Sequence, residues 1–290
     1  MLLFSLHSVQ LVVQMLDWLF PYPVFWSLFA AVLSLLVLQS LSSAMKNRLP
    51  LPGKHVFIGG GSQGLGLALA CLLASKGANV TIVARSQVKL DAALEEVKKH
   101  RKTPSQKLYA LAADLSTAES TSRAFDGYSE VNNIPSPEYV FACAGGAGHI
   151  LGYFVDLSPE QLAQGWRTNY ETSLWTAHAA AKRMIAGKVN GKIVLVSSVL
   201  GLFSFAGYSA YSPAKHALRG LADTLRNEFL LFGITIHCYF PATILSPGYE
   251  EEEKTKPALT KKIEGPDEGQ TPEQCASKLL KGDLNKDISS

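Results

Sequence analysis

Little in this sequence points to a metal, a disulfide framework or a nucleic acid. Its 290 residues include only four cysteines, Cys71, Cys143, Cys238 and Cys275, scattered without ligand or framework spacing, which fits reduced thiols in a cytosolic domain better than a secreted scaffold. The seven histidines share no metal-ligand spacing either, so no metal is expected. A formal net charge of +3 with no strong block of lysine or arginine excludes an obvious nucleic-acid surface. Charge is nearly missing from the front of the chain: from Met1 to Ala44 Asp17 is the only formally charged side chain, and no lysine or arginine precedes Lys46. One local absence matters more, because no aspartate or glutamate occurs between Val80 and Leu90.

The uncharged front contains Val24 to Leu41, a mostly apolar run of about the length that crosses a bilayer core. It reads as a membrane anchor rather than a cleaved signal peptide, since a basic leader is missing and the hydrophobic stretch is long and comes late. Lys46 and Arg48 follow it, so the positive-inside rule puts the remainder in the cytosol. Before it, Leu2, Leu6, Val9, Val13, Leu16 and Phe20 can line one helical face that lies in the interface or pairs with the span. The expected organisation is a membrane-associated region over 1–48 and a folded domain over 49–290.

Past Gly53 the pattern alternates. His55 to Ile58 reads as a strand, Gly59 to Gly66 (GGGSQGLG) as a glycine loop, and Leu67 to Lys76 as a helix; a second strand, Asn79 to Ala84, completes a βαβ unit. Gly60, Gly64 and Gly66 can supply the tight turn, the close approach of backbone to pyrophosphate and the close helix packing that a dinucleotide needs. Where an NAD site carries an acid for the ribose 2′-hydroxyl, the second strand ends in Arg85. With Lys89 one helical turn on and Ser62 in the loop, it suits a 2′-phosphate, so the expected cofactor is NADPH. A helix around Leu90 to His100 follows, then strands at Leu108 to Ala112 and Tyr139 to Ala142. Between them Asp114 can accept from an adenine amino group or cap the next helix. Such alternation predicts an α/β fold, a Rossmann-type doubly wound parallel sheet flanked by helices with its ligand at the strands' carboxyl ends.

The chemistry gathers between Ser197 and Lys215. Tyr211 and Lys215 are four apart and share a helix face, so the ammonium is expected near the phenol, favouring its ionised form. Pro213 fits only the first turn, so the helix begins close to Tyr211. The buried run Ile193 to Val196 ends at Ser197 and Ser198, either of which can offer a hydroxyl. Phe203, Phe205 and Tyr208 can line an acyl groove or pack the core, and Glu250 to Glu253 reads as a solvated loop or a lid meeting a cationic substrate. By spacing alone Asn169 is a helix surface residue.

These motifs fall in one order over roughly Lys54 to Gly248, and the chain resembles the short-chain dehydrogenase/reductase superfamily. The resemblance is carried by Gly60, Gly64 and Gly66, by Ala142 to Gly145, by Asn169, by Ser198, Tyr211 and Lys215, and by Pro241. It implies that Tyr211 protonates a ketone oxygen, that Ser198, in a Ser-x-x-Gly pattern with Gly201, holds that oxygen, that Lys215 binds the nicotinamide ribose, and that Asn169 holds a water. It extends the cofactor set to Gln63, Leu65, Leu115, Ala144 and Ile244. Gly59, Ala142 and Ala242 depart from the superfamily's usual threonine, asparagine and glycine, and the sequence after the helix expected at Glu273 to Lys281 is shorter than usual, without a seventh strand. Within the superfamily the stretch from Gly201 to Glu228, and SPGYEEEEKTKP followed by TPEQ, are similar to the 3-ketodihydrosphingosine reductases. That similarity implies a long-chain amino ketone (3-ketosphinganine) as substrate, membrane lipid as surroundings, the endoplasmic reticulum membrane as location with the catalytic domain facing the cytosol, and room for a homo-oligomer. A reductase of steroid, retinoid or fatty-acyl ketones and a non-catalytic NADP(H)-binding scaffold are the alternatives.

Overall fold

The computed structural model describes residues 10, 14–15, 26–36, 51–265 and 268–285. Residues 26–36 are helical, with Leu28, Phe29, Val32, Leu33, Leu35 and Leu36 exposed. Among the described residues no helix is long and apolar enough to cross a membrane. The two ends of the expected span, 24–25 and 37–41, the flanking Lys46 and Arg48 and most of Met1 to Phe20 lie outside the described residues.

Pro50–Asp283 forms one compact unit. Six strands, β1 His55–Gly59, β2 Asn79–Ala84, β3 Leu108–Ala112, β4 Tyr139–Ala142, β5 Lys192–Val196 and β6 Thr235–Tyr239, make one sheet in the order β3-β2-β1-β4-β5-β6. Every pairing is parallel. The central strands are apolar because both faces are covered: all of β4 and β5 is buried. The helices that cover them are α1 Gly64–Ser75, α2 Gln87–Lys99, α3 Ala118–Asn132, α4 Pro159–Trp166, α5 Thr172–Ala186 and α6 Ser212–Glu228. Phe57 of β1 stacks on Phe125 of α3 at 4.2 Å between ring centres, and Met184, Leu195 and Leu218 continue that core. Two short helices, α7 Pro247–Thr255 and α8 Ala258–Glu264, and a longer one, α9 Pro272–Asn285, follow β6 in sequence.

Local chemistry sets several boundaries differently from expectation. Helix α1 starts at Gly64, inside the glycine loop, so the loop and the helix N-terminus are one device. Helix α2 starts at Gln87 because Ser86 caps it, its side chain accepting from the Lys89 amide. The cap of α3 is Thr117, which accepts from the Ser120 amide; Asp114 lies too early and accepts from the Ser116 amide at 3.0 Å instead. Glu250 to Glu253 belong to α7, whose Ser246 cap and Pro247 in the first turn are a helix start rather than a loop. The sheet reverses its winding between β1 and β4, where Gly59 pairs with Ala142, and this opens a crevice at the carboxyl ends of the strands.

Candidate active site

A cavity of about 790 Å³ occupies that crevice. Its nucleotide end is made by the glycine loop. Gly60 has φ +81°, and a side chain there would come within 2.6 Å of the Ala144 amide nitrogen, so the loop lies directly against the turn after β4. A Cβ on Gly66 would stand 2.2 Å from the Gly60 carbonyl oxygen, which lets α1 begin hard against the loop. Gln63, at the N-cap, makes no side-chain cap bond, so the first amides of α1 keep their donors. Ser62, Gln63, Gly64 and Leu65 line the cavity beside these glycines. Backbone donors at a helix N-terminus behind a cradle that a Cβ would fill are what a pyrophosphate requires.

Beyond the end of β2, Arg85 and Lys89 are exposed on the same cavity wall. The Lys89 ammonium donates to the Gln63 side chain at 3.2 Å, while Arg85 has no ion-pair partner among the described residues. Asp114 and Leu115 line the cavity after β3, and Ala144 and Ile244 after β4 and β6. At Gly59, where the family resemblance implies threonine, the Leu115 Cδ1 lies 2.8 Å from where a Cβ would be. The residues present therefore fit a nicotinamide dinucleotide.

The reacting end is built by β5, the turn after it and the start of α6. The two serines point to different tasks. Ser197 donates its hydroxyl to the Lys215 carbonyl at 2.8 Å, tying β5 to α6. The Ser198 hydroxyl accepts from the Leu200 amide at 3.1 Å and shares a hydrogen bond with Tyr211. Lys215 is buried, its ammonium donating to the Val196 carbonyl at 3.0 Å and lying 5.5 Å from the centre of the Tyr211 ring.

Burial governs the electrostatics of this pair, and in a direction opposite to the expected one. Desolvation raises the Tyr211 pKa above the ordinary tyrosine value, with the Ser198 hydrogen bond opposing it and the Glu252 carboxylate adding to the rise. Desolvation likewise lowers Lys215 to about 8. The expected activation of the phenol by a neighbouring ammonium is not what these residues show: Lys215 sits over the ring face and is held by Val196, so burial outweighs it.

Asn169 is fully buried, in a π-helical turn over Arg167–Glu171, and not on a helix surface. Its side chain accepts from the Gly146 amide at 2.8 Å and donates to the carbonyls of Gly146 and Gly165, each at 3.0 Å. Both amide hydrogens are thus committed to the loop after β4 and to α4. Of the residues expected to act on substrate or cofactor, Asn169 stands behind the cavity wall, while Ser197, Ser198, Tyr211, Lys215 and the cofactor set line it.

Sequence reasoning had Tyr208 and Glu252 among its candidates but missed their meeting with Glu264 in the wall beyond Tyr211. Tyr208, nearly fully buried, donates to Glu252 at 2.8 Å and also bonds Glu264, and both carboxylates line the cavity. The Ser246-Pro247 helix start was the available signal for α7, but nothing in spacing brings Glu264 to Tyr208.

Comparison with known proteins agrees with this geometry. The family model described as short chain dehydrogenase matches residues 54–257. A 3-ketodihydrosphingosine reductase of Cryptococcus neoformans is 45% identical over 230 residues, covering 79% of this chain and 68% of the relative. One from Yarrowia lipolytica is 39% identical over 259 residues, covering 87% and 68%. Among solved structures, that of levodione reductase superposes with a TM-score of 0.72 at 23% identity over 82% of this chain and 93% of the other, a likeness of fold. With the family model covering the sheet, the glycine cradle and the Ser198, Tyr211 and Lys215 site together, the chain belongs to the short-chain dehydrogenase/reductase family of oxidoreductases.

Proposed function

We propose that this protein is an NADPH-dependent 3-ketodihydrosphingosine reductase, converting the ketone of that long-chain amino ketone to the alcohol of dihydrosphingosine. The observation that carries the reading is the convergence of Ser198, Tyr211 and Lys215 in one wall of a cavity that also holds a dinucleotide cradle. Relatives named for this reaction supply the substrate.

When bound, the reduced nicotinamide supplies the hydride. The Gly60 to Gly66 loop and the N-terminus of α1 hold the pyrophosphate, and Arg85 with Lys89 and Ser62 receive the 2′-phosphate that separates NADPH from NADH. Asp114, Leu115, Ala144 and Ile244 enclose the remaining nucleotide. At the reacting end Ser198 donates a hydrogen bond to the ketone oxygen, and Tyr211 gives that oxygen its proton as negative charge develops. A raised Tyr211 pKa keeps the phenol protonated, the state a donor needs. Lys215, still largely cationic near neutrality, places positive charge beside the phenolate that is left. Asn169 positions the Cys143 to Gly146 loop against the cofactor rather than offering its amide hydrogens to a water.

The substrate partitions into membranes, and the uncharged front of the chain supports work at the endoplasmic reticulum surface with the catalytic unit in the cytosol. Release of the protein by carbonate or high salt, without detergent, would count against anchoring.

The reaction is tested by NADPH consumption with 3-ketosphinganine in detergent micelles, beside NADH and beside Tyr211→Phe. Turnover should favour NADPH and fall by about 100-fold or more in the variant, the range of a lost general acid. Wild-type protein that binds NADPH but reduces only steroid, retinoid or fatty-acyl ketones would replace the substrate assignment. Cofactor binding with no turnover of any ketone would leave a scaffold.

A further inference from the structure

The cavity wall beyond Tyr211 contains charge that neither the cofactor nor the proton transfer uses. Lys256, at the end of α7, is buried with its ammonium 3.3 Å from Glu252 and 2.8 Å from Glu264, and it also pairs with Glu253. Glu253 is shared with Lys261 at 3.4 Å. Burial alone would lower Lys256, but its hydrogen bonds to Glu253 and Glu264 outweigh that and hold its pKa above the usual lysine value. Three carboxyl groups thus meet two ammonium groups, so one carboxyl in the group must either carry a proton or lack a counter-ion among the described residues.

That surplus faces the cavity. Glu252 and Glu264 line it, Glu253 does not, and the Tyr208 phenol bonds both lining carboxylates. Tyr208 in turn packs on Tyr211 with ring centres 5.9 Å apart, and the Glu252 charge is felt at the Tyr211 hydroxyl. Burial raises the Glu252 pKa despite its hydrogen bonds to Tyr208 and Lys256, so its protonated form is favoured while no further cation is near. A desolvated carboxylate in excess of its cations is unfavourable unless it takes up a proton or a further cation arrives. A cation on whatever fills the cavity, beside a ketone oxygen held by Ser198 and Tyr211, can take that proton's place.

We propose that Glu252, braced by Tyr208 and Lys256 and seconded by Glu264, is the ammonium-recognition site of this enzyme, selecting ketones that carry a protonated amine on the carbon next to the carbonyl. This rests on the ketone-reductase reading above and adds the group that separates amino ketones from plain acyl, steroid or retinoid ketones. Sharing its carboxylates with the α7 and α8 cluster, the site is held by the same ion pairs that fold those two helices over the cavity.

The experiment compares 3-ketosphinganine with its deaminated and N-acetylated forms as substrates for the wild type, Glu252→Gln and Glu252→Asp, with NADPH binding followed by fluorescence. A hydrogen bond to a charged group lost from a binding site changes affinity by about 10- to 100-fold. The wild type should therefore favour the free amine over both neutral forms by about that factor in kcat/KM. In Glu252→Gln the ratio of kcat/KM for amine over deaminated ketone should collapse toward unity, and Glu252→Asp should retain part of it. Wild type that reduces the amine and its neutral forms equally well overturns the proposal, whatever the variants do. So does Glu252→Gln that binds NADPH and keeps the wild-type ratio. Failure of the wild type on all three ketones, with NADPH bound, instead removes the reductase reading on which the site depends.

Discussion

Replacing Lys215 by methionine should abolish ketone reduction and at the same time stabilise the folded chain at neutral pH. Lys215 is 3% exposed, and its ammonium has the Val196 carbonyl as a hydrogen-bond partner at 3.0 Å. Burial lowers its pKa from the ordinary 10.5 to about 8. Each unit of pKa is worth about 1.4 kcal/mol, so keeping the ammonium costs the fold about 3 kcal/mol below pH 8. The folded pKa is the lower one, so between about pH 8 and pH 10.5 the unfolded chain binds more protons and wild-type stability rises with pH. Methionine keeps an unbranched stem but leaves the Val196 carbonyl without its donor, returning about 1–2 kcal/mol. The expected net is a variant more stable by about 1–2 kcal/mol at pH 7, with the advantage gone or reversed near pH 10. Urea unfolding without cofactor, followed by tryptophan fluorescence at the two pH values, measures both. A variant less stable than wild type at pH 7, by a margin that does not change with pH, would refute the reasoning.

Three further outcomes follow from the site. Gly66→Ala forces a Cβ to within 2.2 Å of the Gly60 carbonyl oxygen and should remove NADPH binding in a fluorescence titration; retained affinity would show that the loop does not cradle the pyrophosphate. The two serines should separate: Ser198→Ala lowers kcat by about 100-fold, the scale of one lost oxyanion donor, with the melting temperature kept. Ser197→Ala removes the side-chain donor to the Lys215 carbonyl, which keeps its helical partner, and destabilises by about 0.5–1.5 kcal/mol, read by urea unfolding, and a reversed pattern would exchange their roles. Arg85→Ala should cut kcat/KM for NADPH by about 10- to 100-fold and spare NADH, and an equal loss with both cofactors would deny the 2′-phosphate contact.

The sheet was legible because its strands obey two local rules at once. Runs such as Tyr139–Ala142 and Ile193–Val196 are apolar, as strands buried on both faces must be. Residues that work through backbone conformation, Gly60 and Gly66 above all, could be assigned from the same local pattern. Residues whose task depends on what folds back over them could not. The apolar alternation of Thr235–Tyr239, with His237 and Cys238 inside it, hides an edge strand whose place is set by pairing with β5. Asn169 looks like a surface residue by helical spacing because spacing carries no information about the Gly146 loop that its amide holds.

Tyr211 and Lys215 mark the deeper limit. Their four-residue spacing correctly puts them on one helix, and from it a mutual shift of pKa follows if the two groups dominate each other's surroundings. They do not, because β5, the Ser198 turn and the loop before α6 exclude water from both, and desolvation acts on each separately. The phenol is held protonated and the ammonium is held at a cost, which suits an acid that must deliver its proton only when charge builds on the substrate oxygen. The neighbouring Glu252 pushes the phenol the same way, so a substrate ammonium that neutralises Glu252 would also ease ionisation of Tyr211. Recognition of the amine and release of the proton are then coupled through one carboxylate, and an amino ketone should gain in kcat as well as in KM over its deaminated form.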